Sequence, residues 1–311
     1  MRSLLLAPAL LLAACANGTA PAPAPEAAVE RPISWRALLD RPRETADVRI
    51  AYGEGDHQYG ELWLPDASQH GGGPFPLVIM VHGGCWRAEI PGTILQDQLN
   101  ADLRARGIAV WNITYPRVGH ETGGYPGTFQ SVAMAVDEAR DIAREHPVDL
   151  TRTAIMGHSA GGHLALWAAA RGQLGLGIVD GVASEPFIPG AAITLAGIND
   201  LEAYHARGPG RCGEPEIVDQ LIDSLRRATA DPYADTSPAA MLPLGVEQVV
   251  ISGALDPIVP PALGMAYAAR AEIAGDAVTV ITLEDAGHFE LIDPTAPAWE
   301  VILAELERVL D

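Results

Sequence analysis

Residues 153–171 read T-A-I-M-G-H-S-A-G-G-H-L-A-L-W-A-A-A-R. The short apolar run ending at Met156 has the character of a buried strand, and the Ala/Leu-rich run 164–171 that of a helix. Ser159 therefore falls at a strand-to-helix turn. Gly157 and Gly161 flank it in G-x-S-x-G spacing, the pattern of a nucleophile elbow. That turn is so tight that a Cβ two residues to either side collides with neighbouring backbone. The serine Oγ is then displayed at the carboxyl edge of a sheet, with a helix N-terminus behind it. With glycine at 32 of 311 positions, the pentad alone also fits a glycine-rich helix start without chemistry. Three further elements decide between the two.

The chain around this stretch alternates. Residues 48–52 and 58–64 pattern as an antiparallel pair turning at 53–56. The continuous apolar run 76–81 is expected of a central parallel strand covered on both faces. Then come a helix near 94–106, a strand 108–114, a helix near 129–145, the elbow strand, and further strands at 191–197, 248–252 and 277–283. Helices at 262–273 and 299–310 complete the pattern. The expected fold class is α/β, with a mostly parallel central sheet and helices on both faces, and ligands in such sheets bind beyond the carboxyl ends of the strands.

The first further element follows strand 76–81 and reads His82-Gly83-Gly84-Cys85-Trp86. Acyl transfer passes through a tetrahedral oxyanion, backbone N–H groups are its commonest stabiliser, and glycines let the backbone come close. His82 is expected to shape this loop by hydrogen bonding and not to move protons. The second element is Asp256, in G-A-L-D-P-I-V-P directly after strand 248–252; a cap for the following helix is the alternative role. The third is His288, in E-D-A-G-H-F after the last strand. The order serine, acid, histidine is thereby complete. His158 and His163 are expected to point away from the nucleophile and to pack. His120 and Glu121, in the Gly/Pro-rich loop 115–129, fit solvation as well as function.

The pair H-G-G-C-W and G-H-S-A-G resembles the esterase/lipase branch of the α/β-hydrolase superfamily, including kynurenine formamidase-like, feruloyl-esterase-like and hormone-sensitive-lipase-like hydrolases. The last group usually has a third glycine where Cys85 stands. The resemblance covers about 48–311 and implies an α/β-hydrolase fold with a small cap insertion, placed here at about 199–242 around an amphipathic run 216–227. It implies a serine hydrolase cleaving carboxylic esters through an acyl-enzyme, without a cofactor. Ser159, Asp256 and His288 would be the triad, and the N–H groups of Gly84, Cys85 and Ala160 the oxyanion hole. The same machinery serves amides, as in arylformamidases or peptidase-like relatives. A catalytically inactive hydrolase-fold binding module would keep the sheet and lose a triad member, and all three residue types are present.

The formal net charge is −20, and all 20 basic residues are arginine. Such an acidic surface argues against nucleic acid and anionic lipid headgroups as partners; the partner that the resemblance implies is a small-molecule ester. The three cysteines, Cys15, Cys85 and Cys212, include no C-x-x-C or Cys/His cluster, so no metal site is expected. Residues 1–14 read as a signal peptide whose end, L-A-A-C, resembles the lipobox of bacterial lipoproteins. Ordinary signal-peptidase cleavage near Ala14 is the alternative. Cys15 would then carry lipid, residues 15–30 would form a Pro/Ala-rich tether, and the hydrolase domain would occupy 31–311. The expected location is the exported bacterial cell envelope, with the membrane reached only through the lipid. Cys85 and Cys212 remain an even pair in an oxidising compartment. Either they form a disulfide pinning the cap to the oxyanion loop, or Cys85 is a small buried residue and Cys212 an exposed one in a flexible Gly-rich neighbourhood.

Overall fold

The apolar run after Gly73 and Pro74 becomes the centre of the molecule in the computed structural model, which describes residues 32–173, 185–227 and 229–311. The signal segment, Cys15 and the tether lie outside the described residues. Among those described, eight strands form one sheet: β1 (Val48–Ala51), β2 (Tyr59–Trp63), β3 (Phe75–Val81), β4 (Ala109–Ile113), β5 (Val148–His158), β6 (Ala191–Leu195), β7 (Glu247–Gly253) and β8 (Val278–Leu283). Their order is β1-β2-β4-β3-β5-β6-β7-β8. β1 and β2 are antiparallel to their neighbours, and all pairs from β4 through β8 are parallel.

The burial of each strand explains its sequence. Leu77 to Val81, all of β4 and all of β6 are buried, so these strands are apolar without alternation. β1 and β8 are edge strands and keep exposed positions. The helix Ala160–Ala169 is buried at all ten positions, consistent with apolar residues on every side of it.

The amphipathic run 216–227 is helical only as far as Ile222. Asp223 adopts the left-handed conformation (φ 50°, ψ 42°), which Asp tolerates better than most side chains. Ser224 then folds back, donating its N–H to Asp219 O at 3.1 Å and its hydroxyl to Asp219 Oδ1 at 2.6 Å. The predicted helix 129–145 is likewise two segments, Gly127–Asp137 and Ala139–Glu145. Two short helices that the sequence pattern does not announce, Trp35–Leu39 and Ala67–His70, also form.

A buried arginine fastens the helix layer to the sheet. Arg171, 3% exposed, directs Nη1 at Ala133 O (3.2 Å) and Asp137 Oδ2 (3.0 Å), and Nη2 at Asp137 Oδ1 (2.8 Å) and Phe187 O (3.0 Å). Its Nε donates to Ala168 O at 3.2 Å. Two helices and the segment leading into β6 meet on one guanidinium. Asp137→Ala would leave that charge without its counterion and is expected to cost about 3 kcal/mol, the lower end for broken buried pairs because Asp137 keeps some water contact. Asp137→Asn, which keeps an acceptor, should cost less. Urea unfolding measures both, and a loss under about 1 kcal/mol for the alanine variant would contradict this account.

Candidate active site

The carboxyl ends of β3, β5, β7 and β8 carry, respectively, the His82 loop, Ser159, the Asp256 loop and the His288 loop. Ser159 lies between the last residue of β5 and the first of helix Ala160–Ala169, at φ 56° and ψ −122°. An L-residue holds such a conformation only where its surroundings over-determine it. Here Ser159 N–H donates to Leu195 O and Ser159 O accepts from Gly162 N–H, both at 2.9 Å. The flanking glycines are required by space: a Cβ on Gly157 would lie 2.1 Å from Gly161 O, and one on Gly161 2.1 Å from Val81 O.

Asp256 sits three residues beyond β7. Its Oδ1 accepts the N–H groups of Ile258 (2.7 Å) and Val259 (3.0 Å), and its Oδ2 lies 2.6 Å from His288 Nδ1. A carboxylate so placed fixes Nδ1 as the protonated nitrogen and leaves Nε2 to accept a proton. Ser159, Asp256 and His288 are all buried. His158, which precedes Ser159, packs its ring 4.4 Å from that of His288 and donates from Nε2 to His288 O at 2.9 Å. Its expected packing role thus holds the His288 loop against the elbow, a link invisible in sequence because the partners are 130 residues apart.

The segment 82–86 runs against the same turn. A Cβ on Gly83 would stand 2.9 Å from His158 O and 3.2 Å from Ser159 Cβ, so only glycine allows this approach. Gly84, Cys85 and Trp86 follow with φ of 110°, 52° and 54°. Ala160 opens the helix after Ser159, where N–H groups have no intrahelical partner. Gly83, next to two of the expected oxyanion donors in sequence, thus abuts the turn that carries the third, Ala160.

His82 shapes the loop as expected. It is fully buried, donates from Nδ1 to Gly83 O at 2.7 Å, and stacks on Tyr115, whose hydroxyl donates to His82 O at 2.7 Å. Burial pushes its pKa down to about 3. Trp86 donates from Nε1 to His163 Nδ1 at 3.2 Å, and His163 Nε2 donates to Thr236 O at 2.7 Å. His163, lowered to about 4 by burial, is thus a neutral bridge between segment 82–86 and the end of the excursion 199–242. In loop 115–129, His120 is held: its ring stacks on His57 at 3.6 Å and its Nδ1 accepts the N–H of Arg117 at 3.1 Å. Glu121 is exposed.

Of the two readings for the cysteine pair, the structure takes the disulfide. Cys85 and Cys212 are joined with Cα atoms 5.3 Å apart, across 127 residues of chain. Cys212 is 3% exposed, so the expectation of an exposed residue in a loose loop is corrected. Glu214 supplies the order, accepting the N–H groups of Gly210 (2.6 Å) and Cys212 (3.0 Å), while Arg87 Nε donates to Cys212 O at 2.9 Å. Among the described residues, no group of three or more His, Cys, Asp or Glu could hold a metal ion.

A mostly parallel eight-stranded sheet with a serine at a left-handed strand-to-helix turn, and an aspartate–histidine pair after the last two strands, defines an α/β-hydrolase. The BD-FAE family model matches residues 61–269, and the chain belongs to that family of α/β-hydrolase esterases. No protein of curated function matches it in sequence. Similar solved structures include esterase B from Lactobacillus rhamnosis, at TM-score 0.73 and 18% identity over 89% of each chain. A truncated carbohydrate esterase from gut microbiota follows at 0.68 and 18%, over 86% of this chain and 97% of that one. A bacterial heroin esterase is similar at 0.65 and 22%, over 88% and 86%.

Proposed function

We propose that this enzyme cleaves carboxylic esters through an acyl-enzyme, with Ser159 as nucleophile, His288 as general base and acid, and Asp256 as the group that orients His288. Ser159 Oγ adds to the ester carbon while His288 Nε2 takes its proton. The resulting oxyanion is met by N–H groups of Gly84, Cys85 and Ala160. Collapse expels the alcohol, protonated by His288, and water repeats the sequence to release the acid. Asp256 holds the imidazole in place and stabilises the imidazolium. The observation that carries the reading is the coincidence of Ser159 at φ 56° with the 2.6 Å contact between His288 Nδ1 and Asp256 Oδ2 at one end of the sheet.

A fluorophosphonate probe should form one covalent adduct on the peptide containing Ser159, and 4-nitrophenyl esters of short acids should be hydrolysed and protected by the probe. Absence of both adduct and turnover in folded protein would defeat the reading. The N-terminus extends the proposal to location: lipid on Cys15 would anchor the enzyme at a bacterial membrane, two or more acyl chains being needed for stable attachment. Cys15→Ser should release it from the membrane fraction, and a mature N-terminus without lipid by mass spectrometry would reject the anchor.

A further inference from the structure

The cap excursion touches the site from both sides. On one, Tyr204 in the helix Leu201–Arg207 donates its hydroxyl to Ile258 O, two residues beyond Asp256, at 3.3 Å. On the other, Cys212 is bonded covalently to Cys85. The short loop between is gathered by Glu214, and Arg87 Nε binds the Cys212 carbonyl.

Cys85 occupies a demanding position. It has a side chain, its φ is 52°, and the next residue, Trp86, is at 54°. Non-glycine residues hold that conformation only when other contacts fix them. Trp86 is fixed by complete burial and by its hydrogen bond to His163. Backbone bonds also hold this turn: Arg87 N–H to Gly84 O at 2.9 Å closes it around Cys85 and Trp86, while Ala88 N–H to Val118 O at 2.9 Å and Val118 N–H to Trp86 O at 2.8 Å tie its far end. For Cys85 itself, the fixed point on the side chain is the sulfur bond to the cap.

Resting on the serine-esterase reading above, we propose that the Cys85–Cys212 disulfide is a positioning element for the oxyanion donors, so that full turnover requires the oxidised enzyme. Cys85 and Cys212 are positioning residues in this sense, acting through the backbone N–H groups of Gly84 and Cys85. A dithiol such as dithiothreitol reduces the bond by two electrons and two protons, closing to its own cyclic disulfide and leaving two protein thiols. The cap loop is then joined to the oxyanion segment only through hydrogen bonds, and the segment can relax from the left-handed region. Substrate can still bind, and the loss falls on the transition state.

The test compares the oxidised wild type with the same protein reduced while folded, its two thiols counted by mass and its fold checked by circular dichroism at a temperature well below unfolding. Losing one oxyanion donor costs about 10²–10³ in kcat. A loosened donor should therefore lower kcat on a 4-nitrophenyl ester by roughly 10- to 100-fold, with KM changing less than about threefold. The affinity of a boronic acid that mimics the tetrahedral state should weaken in parallel with kcat/KM. Oxidised glutathione should restore both. Cys212→Ser should show the reduced values and no response to dithiol; should it not fold, the chemically reduced wild type decides alone. A kcat within twofold of the oxidised value in fully reduced, folded protein would overturn the proposal. Oxidised protein that neither turns over esters nor takes the fluorophosphonate on Ser159 would overturn the serine-esterase reading, and this proposal with it.

Discussion

Ser159→Ala, His288→Ala and the double variant are expected to lose ester hydrolysis to one common residual level, about 10⁴-fold or more below the wild type. Triad members act as one unit: without the nucleophile, a base has nothing to deprotonate, so the second substitution adds little to the first. Ser159→Ala should leave the turn intact, because the bonds that hold φ at 56° are backbone bonds from Ser159 N–H and to Ser159 O. Asp256→Asn tests the orienting role separately. Asp256 Oδ1 already accepts two backbone N–H groups, from Ile258 and Val259. An asparagine that keeps those bonds must turn its NH₂ toward His288 Nδ1, which enforces the wrong imidazole tautomer. The loss should again approach 10⁴. Kinetics on a 4-nitrophenyl ester check all four variants, and near-wild-type turnover by Ser159→Ala would end the mechanism.

The second large effect is acid lability. Three buried histidines support the site: His82 is pushed down to about 3 and His163 to about 4, while His158 is lowered well below its ordinary value, by burial first and then by His288. In the unfolded chain each takes a proton near pH 6.5, and in the folded chain only far lower. The unfolded state therefore binds more protons over that interval, and stability falls as pH drops below about 6.5, by about 1.4 kcal/mol per pH unit for each histidine. Asp97 works in the opposite sense. Burial, with the nearby charge of Glu61, raises it to about 7, so its folded form holds a proton that an unfolded carboxyl releases near pH 3.9, and it recovers roughly one histidine's share as pH falls. The net expectation is a loss of about 3 kcal/mol per pH unit between about pH 6 and 4. Guanidinium unfolding at pH 7, 6 and 5 checks it, and a midpoint constant across that range would refute it.

What the sequence made legible was what depends on neighbours in the chain. The G-x-S-x-G turn is a steric statement about Gly157 and Gly161, and the 2.1 Å approaches meet it. The apolar run that became β3 signalled burial on both faces, and the order of Ser159, Asp256 and His288 along the chain matched their places at successive strand ends. What lay beyond reach were pairings set by tertiary structure. Nothing near His158 announces that its ring would hold the carbonyl of residue 288. The cysteines could be counted as an even pair, but their meeting depended on Glu214 gathering its loop. Asp223 ended a helix that its apolar spacing would have continued, because its left-handed backbone and the two bonds from Ser224 back to Asp219 outweighed periodicity there.

The helix behind Ser159 also limits how the enzyme can diversify. Every position of Ala160–Ala169 is buried, and a Cβ on Gly162 would stand 2.7 Å from Gly197 Cα. An element with no wet face offers few neutral substitutions, since almost any change of volume is felt by packed neighbours. Descendants of this chain that come to prefer other esters should therefore differ mainly in the cap and in loop 115–129, where water-facing positions absorb change. The elbow helix would pass through such divergence nearly unaltered, a fixed mount on which successive specificities are exchanged.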